Sequence, residues 1–423
     1  MSRSRPAIPG RTSGVALTNW AGNLTYRAAE VHHPENVAQV QDLVARLPRV
    51  RALGTRHSFS AVADRPGDDL VSLAALPPEI SVDAGAMTVS VTGGTRYGEL
   101  IADLHARGFA LHNTGSLPHI SVAGATATGT HGSGDANGIL STAIVALEVV
   151  RADGTLQTVD RDDPSLKAMA VGLGMFGVIT RVVLEIQPTY RVRQDVYVGA
   201  PWDGVLEAFD EIMAGAYSVS LMGDPGSPVL AQIWQKTRVG EEPPAAAPDS
   251  LHGGRWYDDA DVPAGIGLNP RAGVVGPWSE RLPHFQLDAP PSVGGDELQT
   301  EYFVARRHAV DALRAVRALG ERISPHLHAA EIRTVAADDL WLSPAHERDC
   351  VSIGFTWRKH PEPVHALIRD VEAALADFAP RPHWGKLHRL TTDDLERAFP
   401  RLPDALDLAL SLDPAGKFAS DTI

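Results

Sequence analysis

The sequence predicts an α+β protein of two domains. Its 423 residues exceed the size of one typical domain. The first part starts with a helical pattern at residues 34–47, followed by the apolar strand Val50–Leu53, which indicates a β-α-β beginning. After Pro188, strands and helices mix without strict alternation, which is typical of helices on one face of an antiparallel sheet. We therefore expect one domain over residues 15–187 and a second, mixed α+β domain over residues 188–379.

Local patterns predict the main elements in each half. In the first half they predict strands at 88–92, 144–150, 155–159 and 178–186, and helices at 97–107 and 165–171. In the second half they predict helices at 202–214, 308–321 and 361–378, and strands at 219–222, 229–234, 298–305, 327–335 and 351–357. Prolines and glycines crowd residues 239–294, so we expect that stretch to be mostly irregular.

Composition excludes several classes of protein. The net charge of −14 opposes binding to nucleic acid or anionic surfaces. The single cysteine, Cys350, excludes an internal disulfide and a cysteine-built metal site, so no metal is expected and a cytoplasmic location fits. No apolar run is long enough to span a membrane, and residues 1–14 lack the apolar segment of a secretory signal, so we expect a frayed arm there. We expect a monomer without nucleic-acid or membrane partners.

Two stretches of small residues suit a phosphate-containing ligand. Residues 50–60 are V-R-A-L-G-T-R-H-S-F-S, and residues 121–134 are S-V-A-G-A-T-A-T-G-T-H-G-S-G. Small residues let several backbone N–H groups approach one anion, and the neutral imidazole of His57 is a nucleophile. Taken alone, His57 is better explained as an ordinary turn histidine, and the second stretch as a surface loop. The nicotinamide fingerprint G-x-G-x-x-G is absent after the first strand.

A polar pair is predicted on one strand of the second domain. In L-H-A-A-E-I-R-T-V, alternation places Glu331 and Arg333 on one face and Ala330 and Ile332 on the other. The pair would suit a polyhydroxylated substrate, although a structural ion pair is the alternative. Lys386, in R-P-H-W-G-K, is on its own compatible with an ordinary surface lysine.

These motifs together resemble the vanillyl-alcohol oxidase family, in the branch of the alditol and aldonolactone oxidases. The resemblance covers about residues 19–418 and includes E-x-R, H-W-G-K and the terminal L-D-P-A-G-K-F. It implies a PCMH-type FAD-binding domain to which residues 380–423 return, and FAD bonded covalently to His57. The FAD-binding positions that it implies are Gly54, Thr55, Arg56, His57, Ser58, Ser116, Ser121, Gly124, Thr128, Gly129, Thr130, His131, Ile179 and Lys386.

The resemblance also implies a reaction. A hydride would pass from the terminal CH₂OH of an alditol such as xylitol, sorbitol or glycerol to flavin N5, and O₂ would then be reduced to hydrogen peroxide. Lys386, Arg333 and Glu331 would be catalytic, and the substrate would contact Ser116, Glu331, Arg333, Thr356 and Gln299. Gly115 would leave the path of oxygen open, unless it merely permits a turn.

One position departs from the family pattern. Gly354 stands where, by the resemblance, the alditol oxidases have a histidine that touches the substrate, and His112 or His388 could refill the gap from elsewhere in the chain. Four alternatives therefore stay open. They are an aldonolactone oxidase or dehydrogenase, an oxidase for another alcohol, a non-catalytic flavin carrier, and a binding module without a cofactor.

Overall fold

The computed structural model describes residues 17–240, 246–257, 273–290 and 292–420. The predicted arm at residues 1–14 lies outside this range, as do parts of the stretch 239–294 that was expected to be irregular. Within the described residues, no helix is long and apolar enough to cross a membrane.

The first half forms small sheets with short helices. Its strands are β1 Val31–His32, β2 Val50–Leu53, β3 Asp69–Ser72, β4 Ile80–Asp83, β5 Thr88–Thr92, β6 Phe109–Ala110, β7 Ile144–Val150, β8 Leu156–Asp160, β9 Val178–Glu185 and β10 Gln187–Pro188. Its helices are α1 Val37–Arg46, α2 Tyr97–Ala106, α3 Val122–Ala127 and α4 Leu166–Met169. The Asn36 side chain caps α1 by accepting from Gln39 N, and the helix ends at Arg46, with Leu47 as its C-cap just before Pro48.

The two strands of the β-α-β beginning are not neighbours in their sheet. Strands β1 and β2 both run parallel to β3, which lies between them. An antiparallel sheet of order β4-β5-β9-β7-β8 follows, and β6 pairs with β10. Thus β2 reaches the cavity described below at its carboxyl end, where the first small-residue stretch begins.

The second half is built on one large antiparallel sheet. Its strands are β11 Arg191–Pro201, β12 Ser218–Gly223, β13 Val229–Val239, β14 Ser250–Leu251, β15 Gly254–Trp256, β16 Val275–Pro277, β17 Glu297–Ala305, β18 Leu327–Val335, β19 Cys350–Arg358 and β20 Arg381–Pro382. The order is β14-β15-β11-β13-β12-β18-β19-β17-β20, and β16 also pairs with β11. The α+β class with an antiparallel sheet is therefore confirmed.

Helices cover one face of this sheet. These are α5 Trp202–Glu207, α6 Phe209–Ala214, α8 Ala309–Arg317, α9 Gly320–Ile323 and α10 Pro361–Leu375. The remaining helices, α7 Trp278–Arg281, α11 Thr392–Ala398 and α12 Leu402–Leu412, pack in a different buried cluster. Apolar side chains from α5, α6, α8 and α10 pack with those of β12, β17, β18 and β19 in one buried cluster. The opposite face of β17, β18 and β19 is consequently left to line the cavity.

Four of the predicted elements needed correction. The strand predicted at 229–234 continues to Val239 as β13. Residues 202–214 form two helices, because Ala208 leaves helical geometry with φ −103° and ψ 21°. The predicted helix at 308–321 divides into α8 and α9. The stretch 239–294 is less irregular than expected, since its described part contains β14, β15, β16 and α7.

The last described residues contact the first half of the chain. The backbone N–H of Val50 donates to Lys417 O at 3.1 Å, and Phe418 packs in the cluster that includes Val40 and Val44. The guanidinium of Arg51, which is 2% exposed, donates to Phe418 O at 2.6 Å and to Ala419 O at 3.1 Å. The chain end is thus held beside β2.

Candidate active site

Among the described residues, a large cavity lies between the turns of the first half and the face of the large sheet that the helices leave uncovered. Its volume is about 1510 Å³, beyond the range of about 300–1,000 Å³ that is typical for small-molecule sites. It brings together all but one of the predicted site residues, namely Gly54, Thr55, Arg56, His57, Ser58, Ser116, Ser121, Gly124, Thr128, Thr130, His131, Ile179, Gln299, Glu331, Arg333, Thr356 and Lys386. Gly129 is the exception, because it turns away with φ +71° and faces Pro344.

The two small-residue stretches meet at one end of the cavity. Thr55 Oγ1 accepts a hydrogen bond from Ser121 N at 3.2 Å. A Cβ on Gly54 would come within 3.1 Å of Ser121 Oγ, and one on Gly124 would come within 2.8 Å of the same atom. A side chain on either glycine would therefore crowd the Ser121 hydroxyl, and the two glycine backbones lie close together, since a Cβ on Gly54 would be 3.7 Å from Gly124 Cα. Both border open space. This end of the cavity fits a phosphate-bearing group.

His57 projects from the first stretch into the same space. Its Nδ1 lies 3.1 Å from Thr55 Oγ1, and its ring packs edge-on against Trp20 with centroids 5.6 Å apart. Burial lowers the pKa of His57 to about 4, with smaller contributions from His119 and Arg56. The imidazole is therefore neutral near pH 7, the form in which its nitrogen is nucleophilic.

The predicted carboxylate–guanidinium pair faces the cavity. Arg333 Nε donates to Glu331 Oε1 at 2.6 Å, and Arg333 Nη2 donates to Ser116 Oγ. Ala330 and Ile332 point to the opposite face and join the buried cluster, as alternation requires. His284 Nδ1 lies 3.8 Å from Glu331 Oε1. The pair thus presents a carboxylate, a cation and a hydroxyl to one spot.

A second ion pair lies on the same face of the sheet as the first, two strands away. Lys386 Nζ lies 2.8 Å from Glu301 Oε2, and the Glu301 side chain is only 6% exposed. Burial acts to raise the pKa of Glu301, but the charge of Lys386 and, after it, the contact with His131 outweigh burial and hold that pKa well below its usual range. Lys386 is therefore held as a cation at the cavity wall.

Gly354 lies between these two pairs. In the sheet register it is the partner of Glu301 on one side and of Glu331 on the other. Adjacent strands are about 4.8 Å apart, so the two carboxylate-bearing residues are separated by about 10 Å across β19. Thr356 lines the cavity from the same strand. The strand spacing and the missing side chain leave room here for a small ligand.

The histidines expected to fill this gap do not do so. Neither His112 nor His388 is among the residues that line the cavity. His112 is packed near Gly138 and Ile139, and burial lowers its pKa. Instead, His131, His284 and His383 bring imidazoles to the cavity wall.

Several lining residues escaped the sequence interpretation. They are Glu301, His284, Trp234 and Gln232. Glu301 was detectable, because it stands two residues after Gln299 on the same strand and alternation gives both the same face. Trp234 and Gln232 alternate in the same way on β13, whereas His284 follows α7 in a stretch without a periodic pattern.

The predicted oxygen path at Gly115 has a defined neighbour. A Cβ at this position would lie 3.2 Å from Thr130 Cγ2, and Thr130 lines the cavity. The preceding contact of Arg333 with Ser116 places Gly115 beside the substrate end of the space. The role of Gly115 in oxygen access stays a prediction.

Two known families match separate parts of the chain. The FAD binding domain family matches residues 28–160, which include His57 and Ser121. The D-arabinono-1,4-lactone oxidase family matches residues 296–423, which include Glu301, Glu331 and Lys386. The two matches therefore fall on the two sides of the cavity.

Curated proteins and solved structures match along nearly the whole chain. An alditol oxidase of Streptomyces sp. is 43% identical over 96% of this chain and 97% of its own length. An L-gulono-1,4-lactone dehydrogenase of Mycobacterium tuberculosis is 29% identical over 96% of this chain and 97% of its own. A cholesterol oxidase from B. sterolicum has a TM-score of 0.78 at 15% identity, covering 99% of both chains, and a solvent-stable cholesterol oxidase has a TM-score of 0.76 at 16% identity, covering 95% of both.

Proposed function

Since the chain belongs to the alditol oxidase family of FAD-dependent oxidoreductases, we propose that it oxidises the terminal primary alcohol of an alditol to the aldose with O₂ as acceptor. One observation carries this proposal. A single cavity joins the close approach of Gly54 and Gly124 to the Glu331–Arg333 pair. The phosphate-binding end and the polyol-binding end are thus continuous. Xylitol, sorbitol and glycerol are the substrates to be tested.

The residues at the first end fit FAD. Small residues and backbone N–H groups around Thr55 and Ser121 would hold its pyrophosphate, and Ile179 and Thr130 would border its ring. When bound, FAD supplies the hydride acceptor and passes two electrons to O₂, which gives hydrogen peroxide. The protein would orient the substrate, exclude water and place charges beside the reacting atoms.

We extend the proposal to covalent attachment of FAD through His57. The supporting observation is a neutral imidazole that lines the cavity and contacts Thr55 Oγ1 through Nδ1, so that Nε2 is the nitrogen available to the cofactor. The His57→Ala protein should release its flavin on acid precipitation, whereas the unaltered protein should keep it. Flavin that stays with the denatured variant would contradict the attachment.

The substrate end would hold the alcohol between two charged walls. Arg333 orients Glu331 and Ser116 by donating to both, so their oxygens are fixed before the substrate enters. A polyol hydroxyl can donate to the Glu331 carboxylate while its oxygen accepts from a cation. Lys386 and Arg333 favour loss of the hydroxyl proton by stabilising negative charge on that oxygen. Gln299 and Thr356 supply further hydrogen bonds to the remaining hydroxyls.

An aldonolactone oxidase or dehydrogenase is the second candidate. It is favoured by the match of a lactone oxidase family to residues 296–423, which contain the same charged residues. Those residues therefore do not separate the two reactions. The test is peroxide production in air by the purified protein with xylitol, sorbitol and glycerol, beside L-gulono-1,4-lactone and D-arabinono-1,4-lactone. Turnover of the lactones with none of the alditols would refute the first proposal.

The same preparation also tests for a non-catalytic flavin protein. Under anaerobic conditions the yellow absorbance of an oxidase is bleached by its substrate, because the electrons remain on the cofactor. A flavin carrier would stay yellow with every alcohol and lactone in the panel. A binding module without a cofactor would be colourless from the start.

A further inference from the structure

Glu301 joins two cationic or potentially cationic groups inside the cavity wall. It projects from β17, and its carboxylate is almost fully buried. Oε2 lies 2.8 Å from Lys386 Nζ, and Oε1 lies 3.1 Å from Nε2 of His131. His131 belongs to the second small-residue stretch and is itself 4% exposed. One carboxylate thus links the substrate side of the cavity to the stretch expected to border the cofactor.

The other nitrogen of His131 fixes its protonation. Nδ1 lies 2.8 Å from the backbone carbonyl of Gly132, and a carbonyl can only accept a hydrogen bond. An ionised carboxylate can also only accept, and Glu301 is the carboxylate partner of an ion pair, with Lys386 Nζ 2.8 Å from its other oxygen. Both ring nitrogens must therefore carry hydrogen for both contacts to be hydrogen bonds.

We propose that His131 is a buried imidazolium, and that it shares the Glu301 carboxylate with Lys386 in a triad of net charge +1. Glu301 is the positioning residue of this triad, since it fixes Lys386 from one oxygen and His131 from the other. Resting on the proposed function, we assign the excess charge to the reduced cofactor, whose negative charge it would stabilise. This gives the second small-residue stretch an electrostatic role in addition to a steric one.

The groups packed around the triad do not cancel its charge. His383 is 7% exposed, with its ring centroid 6.1 Å from that of His131. Its Nδ1 accepts from Gly385 N at 3.0 Å, and burial, followed by the charge of Lys386, lowers the pKa of His383 to about 3, so it is neutral. Phe303 packs edge-on against His131 with centroids 4.9 Å apart and carries no charge. The two cations and one anion thus remain as the charged members.

The first test measures the protonation of His131 directly. The FAD-loaded protein would be labelled with ¹⁵N-histidine, and the His131 signals would be assigned by their absence in His131→Asn. Long-range ¹⁵N–¹H spectra near neutral pH should show both His131 nitrogens protonated. In Glu301→Gln the anion is lost while Lys386 remains, so His131 should become neutral. A neutral His131 in the unaltered protein overturns the proposal.

The second test measures the reduction potential of the bound flavin without any alcohol. His131→Asn removes one positive charge, so the equilibrium constant for two-electron reduction should fall about tenfold, which is about 30 mV for this couple. Glu372→Gln is the matched control, because Glu372 is a buried carboxylate that accepts from Tyr302 Oη at 2.8 Å, and Tyr302 leaves β17 on the face opposite Glu301. Its potential should equal that of the unaltered protein.

These outcomes are separable from those of the proposed function. An unchanged potential in His131→Asn, or a shift of equal size in Glu372→Gln, would overturn the charge assignment even if alditols are oxidised. Failure of every alditol in the peroxide assay, with a doubly protonated His131, would instead refute the substrate and leave the triad intact. If His131→Asn does not fold, the spectrum of the unaltered protein compared with Glu301→Gln still decides the protonation.

Discussion

Replacing Gly354 by histidine should narrow the range of alcohols that the protein oxidises while leaving it folded. A Cβ at this position would lie 3.4 Å from Glu301 Oε1 and 3.5 Å from Glu331 O, which are ordinary contacts. Residue 354 lies within the regular strand β19, so no left-handed backbone opposes a side chain. The ring would project into the cavity between the two carboxylate-bearing strands and occupy space that is now open.

The magnitude follows from two opposing terms. Replacing a strand glycine reduces the entropy of the unfolded chain and stabilises by about 0.4–1 kcal/mol. Desolvation of the imidazole works against this gain, so the free energy of unfolding should change by less than about 1 kcal/mol. Loss of room in a pocket is worth about 1–3 kcal/mol, so discrimination between a short alditol and a bulky alcohol should rise by about 10–200-fold.

The assay compares kcat/KM for glycerol, xylitol, sorbitol and a branched or aryl-substituted alcohol in the unaltered protein, Gly354→Ala and Gly354→His. The alanine variant adds one methyl group and should stay close to the unaltered protein. The histidine variant should lose the bulky alcohol selectively. An equal fall in kcat/KM for every substrate, or a loss of several kcal/mol in stability, would refute the idea that Gly354 provides usable space.

Three further perturbations test other parts of the site. Lys386→Met should lower kcat/KM by about 10²–10³-fold, since it removes a cation beside the reacting oxygen, whereas Lys167→Met, at a surface pair, should not. Burial lowers the pKa of His383 to about 3, so between about pH 6.5 and 3 the unfolded chain binds a proton that the folded chain does not. The free energy of unfolding should therefore decrease as the pH is lowered through this range. His383→Asn should make that decrease less steep in urea titrations. Arg51→Met removes donors from four carbonyls and should lower the free energy of unfolding by about 2–4 kcal/mol, whereas the more exposed Arg49→Met should change it by less than about 0.5 kcal/mol.

Local periodicity was sufficient to place the substrate-side charges. Alternation along β18 predicts that Glu331 and Arg333 share a face, and the structure has them in contact on the face that lines the cavity. The bounds of β5, β7 and β18 match the predicted ones for the same reason, since each is a strand with a clear apolar pattern. The break at Ala208 was not predictable, because it interrupts a continuous amphipathic pattern.

Contacts between distant segments could not be predicted in this way. Nothing in the sequence near Gly354 indicates that its neighbours across the sheet are Glu301 and Glu331, because register depends on which strands pair. The same holds for His284, which reaches Glu331 from a stretch without periodicity. The histidines suggested from sequence, His112 and His388, were wrong because the fold directs them away from the cavity.

The distribution of charge explains how one cavity can serve a neutral substrate and a cofactor that becomes negative. At the substrate end, Arg333 and Glu331 cancel each other, so a neutral polyol meets directional donors and acceptors without a large net field. At the other wall, two donors share the single carboxylate of Glu301, which leaves one positive charge in excess if His131 is protonated. A carboxylate with one cationic partner therefore suits substrate binding, and a carboxylate with two suits stabilisation of the product state.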